Sequence, residues 1–188
     1  PDLRGRLGVD LGAPVLVLPP SGRTWRCPGV DVAGGGMTII GIDPGLSGAI
    51  ARPMPDGSVD VWDMPTITVR DKRRIDGYAL SALLVTIGPV DMVVLEHVQG
   101  VQGSGATGAF TFGEGFGLLQ GLLIGLDRPH TLVRPQAWTK ALGVGSDKGE
   151  HRRTAQRLWP MSSSMFARVK DDGRADAALL AHWWGRAK

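Results

Sequence analysis

The segment Thr38-Ile39-Ile40-Gly41-Ile42-Asp43 reads as a buried strand that ends in a carboxylate, and Pro44-Gly45-Leu46-Ser47-Gly48 turns the chain at once. Isoleucine and threonine favour extended backbone, and a continuous apolar run implies burial on both faces. A charge at the tip of such a strand is costly unless something compensates it. The pattern recurs at Met92-Val93-Val94-Leu95-Glu96. Two further acids, Asp172 and Asp176, lie four apart at the start of the last helical pattern, Asp172 to Trp184. Carboxylates converging from two strands and a helix suit hard divalent cations, which take oxygen ligands.

The order of elements supports that convergence. After the strand at 38–43, the pattern predicts a strand through Ala49-Ile50-Ala51, a turn at Pro55-Asp56-Gly57-Ser58 and a strand from Val59 to Trp62. Tyr78, Leu80, Leu83, Leu84 and Ile87 set a helical stripe over about 76 to 87, closed by Pro89. The Glu96 strand follows, then a glycine-rich stretch and a long apolar helix, roughly 108 to 126. Thr131-Leu132-Val133 is the fifth strand, and Pro135 opens a short helix carrying Trp138 and Lys140. A helix from Asp147, ended by Pro160, precedes the acidic terminal helix. Three meandering strands followed by alternating helices and strands predict an α/β fold, a mixed five-stranded sheet flanked by helices. In that sheet the tips holding Asp43 and Glu96 are expected to be neighbours.

With 188 residues, 43% of them hydrophobic, the chain is the right size for one domain with a real core. No run reaches the ~18 apolar residues of a membrane helix, so no membrane role is expected. A single cysteine, Cys27, excludes an internal disulfide framework and a cysteine zinc site, and fits a reducing intracellular setting. The net charge of +3 suits a nucleic-acid partner without demanding one. Residues 1–36 stand apart, with Pro19-Pro20, Cys27-Pro28 and Gly34-Gly35-Gly36 and no sustained helical period. They are expected to be a disordered or non-native leader, with the domain spanning 37–188. Gly8-Val9-Asp10-Leu11-Gly12 imitates the Asp43 motif but has no comparable strand before it.

Three motifs, taken in order, resemble a known group. Ile40-Gly41-Ile42-Asp43-Pro44-Gly45-Leu46-Ser47-Gly48-Ala49, Val94-Leu95-Glu96-His97-Val98 and Lys170-Asp171-Asp172-Gly173-Arg174-Ala175-Asp176-Ala177-Ala178 are similar to the acidic motifs of RuvC-type Holliday junction resolvases, in the ribonuclease H-like superfamily. The likeness is greatest to the RuvC-like resolvases of phages. Phe112-Gly113-Glu114-Gly115-Phe116-Gly117 and Pro135-Gln136-Ala137-Trp138 share it, and it spans about residues 37 to 185. The first motif alone also fits actin-like ATPases, but those duplicate the domain and need far more chain.

The resemblance implies a structure-selective endonuclease that cuts four-way or branched DNA, leaving a 5′ phosphate and a 3′ hydroxyl. It implies a homodimer, since symmetric cleavage needs two active sites, and a cytoplasmic setting in a bacterium or a phage-infected host. Asp43, Glu96 and Asp176 would bind metal, with Asp172 as the fourth acid. Asp171 competes for that last role, but 172 and 176 share a helix face whereas 171 and 176 diverge by about 140°. Two Mg²⁺ ions, replaceable by Mn²⁺, suit such ligands. Singly, each acid has a structural reading: a strand-end aspartate caps a turn, Asp172 is placed to cap its helix, and Asp176 gains from the helix dipole. Jointly they point to a metal site.

The four histidines, 97, 130, 151 and 182, are scattered. His97 beside Glu96 reads as structural or as a group that orients water, and Phe110 and Phe112 as core residues or as stacking wedges. For DNA contacts the candidates are Lys140, Lys148, Arg152 and Arg174. Arg70, Lys72, Arg73 and Arg74 form a denser run, although such a run is usually a solvated loop. Leu118, Leu119, Leu122, Leu123 and Leu126 serve a dimer interface or the core. Two alternatives compete: a ribonuclease H-like nuclease acting on RNA, as YqgF-like enzymes do, and a branched-DNA binding module without catalysis.

Overall fold

The structure, a computed structural model, describes residues 37–98 and 105–186 and the backbone of residues 15–17. Among the described residues there are eight strands: β1 (Val15–Val17), β2 (Ile39–Asp43), β3 (Ala49–Pro53), β4 (Val59–Asp63), β5 (Thr66–Val69), β6 (Lys72–Ile75), β7 (Met92–Glu96) and β8 (His130–Val133). The helices are α1 (Gly77–Ile87), α2 (Gly105–Gly125), α3 (Pro135–Leu142), α4 (Lys148–Leu158) and α5 (Asp172–Arg186). Short 3₁₀ segments at Pro160–Phe166 and Val169–Asp171 join α4 to α5.

The main sheet runs β1-β8-β7-β2-β3-β4. Strands β2, β3 and β4 form the expected antiparallel meander, while β7 lies parallel to both β2 and β8. These are the five strands expected from the pattern. Val15–Val17, inside the segment expected to be a leader, adds an antiparallel sixth strand at the β8 edge. The rest of that segment, the Asp10 motif included, lies outside the described residues. The 70–74 run differs from expectation: it belongs to a two-stranded ribbon, β5–β6, rather than a solvated loop.

Each face of the sheet carries its own core. Ala177, Ala178, Leu179, Leu180, Ala181 and Trp184 of α5 pack on one face with Trp138, Ala155 and Phe166. Leu80, Leu84 and Ile87 of α1 pack on the other with Leu119 and Leu123 of α2. Glycine and alanine set how closely α5 lies on β2. A Cβ on Gly41 would come within 2.0 Å of the Ala177 carbonyl oxygen, and one on Gly173 within 2.5 Å of the Ser47 carbonyl oxygen. Only hydrogen at both positions lets the helix backbone touch the strand and the turn beyond it. Among the described residues no helix is long and apolar enough to cross a membrane.

Candidate active site

The parallel pairing of β2 with β7 puts Ile42 opposite Leu95, so the strand ends Asp43 and Glu96 emerge side by side at one edge of the sheet. Asp43 stays there because its turn is self-supporting. Its Oδ1 accepts from Gly45 N at 3.2 Å, and Gly48 N donates to Gly45 O at 2.9 Å. The first turn of α5 closes over this tip, with the hydrogen-only site at Gly173 lying against Gly48 Cα and Asp43 Oδ2. One turn later α5 delivers Asp176, which is 2% exposed. Strand tips and helix thus bring Asp43, Glu96 and Asp176 within mutual electrostatic reach.

The titration behaviour shows what that convergence costs. Burial, followed by repulsion from Asp176, raises the Asp43 carboxyl to about 6. Burial, followed by repulsion from Asp43 and Asp176, raises Glu96 to about 7. Positive charge is short at both. Asp176 is better supplied: Lys148 Nζ donates to Oδ2, and His151 Nδ1 sits 2.6 Å from Oδ1. Burial opposes the charge on both partners, yet the Asp176 carboxylate outweighs it and raises the pKa of each.

Two buried rings hold the acids in place. Trp138 Nε1 donates to Glu96 Oε1 at 3.0 Å, and the Trp138 ring packs against His151 at 5.1 Å between centroids. Nε2 of His151 lies 3.2 Å from the Gly145 carbonyl oxygen, the acceptor that fixes the ring from behind. The indole and the imidazole therefore each fix one oxygen of a different acid, through an arrangement common behind metal-binding carboxylates. Sequence reasoning missed His151 by reading the four histidines as scattered. A signal was present: His151, Ala155 and Leu158 lie at i, i+4 and i+7, the inward stripe of α4.

The two neighbouring aspartates at the start of α5 separate cleanly. Asp171 is 1% exposed and consumed by structure. It accepts from Arg168 N at 2.8 Å and from the Arg168 guanidinium, with Arg174 Nη1 3.8 Å away. Although burial opposes its charge, these partners lower its pKa below the ordinary carboxylate value. Asp172, a third exposed, is paired with Arg152 instead. It directly precedes Gly173, the residue that lies against Asp43, and Arg152 holds its carboxylate.

The proposed DNA contacts fall into three situations. Lys148 reaches into the acid cluster. Arg152 and Arg174 are engaged internally, Arg152 on Asp172 and Val169 O and Arg174 bidentate on Asp63 at 2.5 and 2.6 Å. Lys140 is exposed, and its side chain makes no hydrogen bond or ion pair among the described residues. Of the aromatic candidates, Phe110 is 71% exposed, whereas Phe112 stacks on Phe116, which in turn stacks on His97. His97 is thereby given a packing role at the strand tip.

The donor set is the test of a metal here. Carboxylate oxygens from three elements, two of them with raised pKa values, form a set that fits a hard divalent cation. As the side chains stand, no group of three or more His, Cys, Asp or Glu among the described residues is placed to hold an ion. Lys148 supplies charge to Asp176 in that arrangement.

No protein-family model and no curated protein matches this chain. Solved structures do. Thermus thermophilus RuvC in complex with Holliday junction substrate aligns with a TM-score of 0.57 at 13% identity, over 80% of this chain and 96% of that one. A second Thermus thermophilus RuvC structure gives 0.52 at 14%, again over 80% and 96%. The yeast mitochondrial Holliday junction resolvase Ydc2 gives 0.48 at 15%, over 79% and 78%. The Thermus likenesses establish the fold: a RuvC-like, ribonuclease H-like α/β architecture, as the motifs imply.

Proposed function

We propose that this protein is a structure-selective DNA endonuclease that resolves four-way junctions or related branched DNA by metal-dependent phosphodiester hydrolysis, leaving a 5′ phosphate and a 3′ hydroxyl. The observation that carries the reading is the convergence of Asp43, Glu96 and Asp176 from β2, β7 and α5, with Asp43 and Glu96 raised to about 6 and 7. Buried acids that lack charge compensation at a sheet edge call for cations, and structural carboxylates are rarely left so. Support also comes from the shared fold with a RuvC whose structure contains a junction.

In this reading Asp43, Glu96 and Asp176 hold Mg²⁺, or Mn²⁺ in its place, with Asp172 as an outer fourth acid. Two such ions, when bound, activate water and offset charge on the leaving oxygen. The chain's own residues do the rest. Asp43, on a central strand whose tip adjoins that of β7, would be a principal ligand. Trp138 and His151 hold Glu96 Oε1 and Asp176 Oδ1 in fixed directions. Lys148, which pairs with Asp176 in the metal-free fold, would be free to meet a phosphate if a cation took over that carboxylate. Lys140 adds charge on the exposed side of α3. Arg152 joins them on release from Asp172, while Arg174 braces the first turn of α5 through Asp63.

Paired cleavage requires a homodimer. The long helix α2 offers a surface for it: Leu119 and Leu123 go to the core, and Phe110 and Ile124 stay exposed. Substrate choice is tested by offering a labelled four-way DNA junction, matched linear duplex and structured RNA with Mg²⁺. Paired nicks near the crossover are expected. Cleavage of RNA alone would move the protein to the RNA-processing alternative.

A further inference from the structure

The β5–β6 ribbon is not part of the main sheet, and neither the core nor the acid cluster uses its tip. Its base, in contrast, is tied down on three sides. Ile75 is buried, Asp76 N donates to Pro65 O at 2.9 Å, and Arg74 pairs with Glu114 of α2. Arg73 Nη2 donates to the carbonyl oxygen of Leu46 at 2.5 Å. Leu46 lies in the turn that begins at Asp43, so the ribbon is fastened directly to the loop carrying the central acid.

The tip carries charge that the protein itself does not use. Residues 70–74 hold four cations and one acid, a net charge of +3. Arg74 and Arg73 are spent on the anchor. Arg70 and Lys72 are exposed, and their side chains make no hydrogen bond or ion pair among the described residues. Register places Lys72 opposite Val69, with Arg70 and Asp71 as a two-residue turn.

That turn has φ of 47° at Arg70 and 61° at Asp71. Positive φ at both central positions is what a tight hairpin requires, and Asn-Gly or Asp-Gly normally supplies it. Arginine in such a position is strained, and retained strain of this kind concentrates at functional segments. A charge kept where glycine would fit better serves something other than the turn.

We propose that the β5–β6 ribbon is a DNA-backbone arm: Arg70 and Lys72 contact phosphates of a duplex arm entering the acid site, and Arg73 fixes the ribbon's position relative to Asp43 through Leu46. The proposal rests on the nuclease reading above and adds a contact surface to it. Its chemistry is charge complementarity. An acid cluster repels the phosphates it must receive, and cations at the rim offset that repulsion while releasing counterions. No base edge is read by such contacts, so the arm contributes affinity and register without sequence preference.

The test is fluorescence anisotropy on an immobile four-way junction across a salt series, with sedimentation and thermal melting in parallel. Lys72→Ala is expected to lower the slope of log affinity against log salt by about 0.9, and to weaken binding by roughly tenfold near 0.1 M salt. Arg70→Gly is expected to do the same while melting at an unchanged or higher temperature, because glycine relieves the positive φ. Asp71→Asn, which removes the one acid and also tolerates this backbone, is expected to tighten binding. Arg186→Ala, at the far end of α5, serves as the equal-charge control and leaves the slope unchanged. A junction bound by the unaltered protein with slopes identical in all the variants overturns the arm and leaves the nuclease reading intact. A change of oligomeric state in Lys72→Ala overturns it too, since the ribbon would then face a second copy. Failure of the unaltered protein to bind the junction at all overturns both readings.

Discussion

Two groups of poorly exposed acid adjoin the start of α5, and they have opposite fates. Asp171 is almost fully buried, yet its pKa is lowered, because Arg168 and Arg174 surround it. Asp43 and Glu96 have theirs raised: burial and the charge of Asp176 outweigh the few donors at Asp43, and burial with the charges of Asp43 and Asp176 does so at Glu96. Low exposure alone therefore does not set the direction in which an acid's pKa moves. The distinction is whether the fold supplies the compensating cations or leaves them to come from outside. Asp176 stands between, provided for by Lys148 and His151 yet facing the unsupplied pair.

The comparison is broken most severely by neutralising the acids of the candidate site. Glu96→Gln or Asp176→Asn is expected to reduce junction cleavage on the order of a thousandfold, the several kcal/mol that metal assistance provides, as single-turnover rates with Mg²⁺ would show. The same change in Asp171 should leave the rate per folded molecule intact.

The pH dependence of stability sharpens the contrast. Glu96 moves from 4.5 in the unfolded chain to about 7 in the metal-free fold, so the folded state binds that proton more tightly. Its contribution is greatest below about pH 4.5 and is lost as pH rises towards 7, on the order of 3 kcal/mol at most. Asp43 adds a loss of the same sign between 3.8 and about 6. Urea denaturation in EDTA between pH 4.5 and 8 should show stability falling with pH. Glu96→Gln should flatten that fall, and Mg²⁺ at pH 8 should restore the loss.

The rings behind the acids come next in size. His151→Leu is expected to weaken Mn²⁺ binding about 10- to 100-fold by calorimetry. His151→Asn, whose amide nitrogen takes the place of Nδ1, should recover much of it. Trp138→Phe keeps the packing and loses only the bond to Glu96, so its effect should fall near the low end of that range. The smallest expected effect is that of Asp171→Ala, a loss of about 2 kcal/mol of stability through the missing cap and ion pairs. Urea midpoints would measure it, with metal affinity unchanged.

Much of the fold was legible because strong local patterns agree with the tertiary arrangement. The runs ending at Asp43 and Glu96 are too apolar to be anything but central strands, and their tips lie together as expected. Gly41 and Gly173 were visible as residues, but the reason for them, an approach of α5 that excludes a Cβ, exists only once helix and strand meet. The β5–β6 ribbon escaped notice because Arg70-Asp71 lacks the glycine that announces a tight hairpin, and the cations beside it read as a loop. Helix geometry favoured Asp172 over Asp171 as a site acid. In the structure Asp171 is held by Arg168 and Arg174, and Asp172 by Arg152. His151 was hidden because its partner lies 25 residues away on another helix.

The central claim is that Asp43 is part of a metal-dependent active site and not a buried structural acid. The direct test compares the unaltered protein with Asp43→Asn on a labelled four-way junction, measuring binding and cleavage separately, with Mg²⁺ and with EDTA. The account predicts that both proteins bind the junction and that only the unaltered one, with Mg²⁺, introduces paired nicks near the crossover. Cleavage surviving in Asp43→Asn, or proceeding in EDTA, would contradict it.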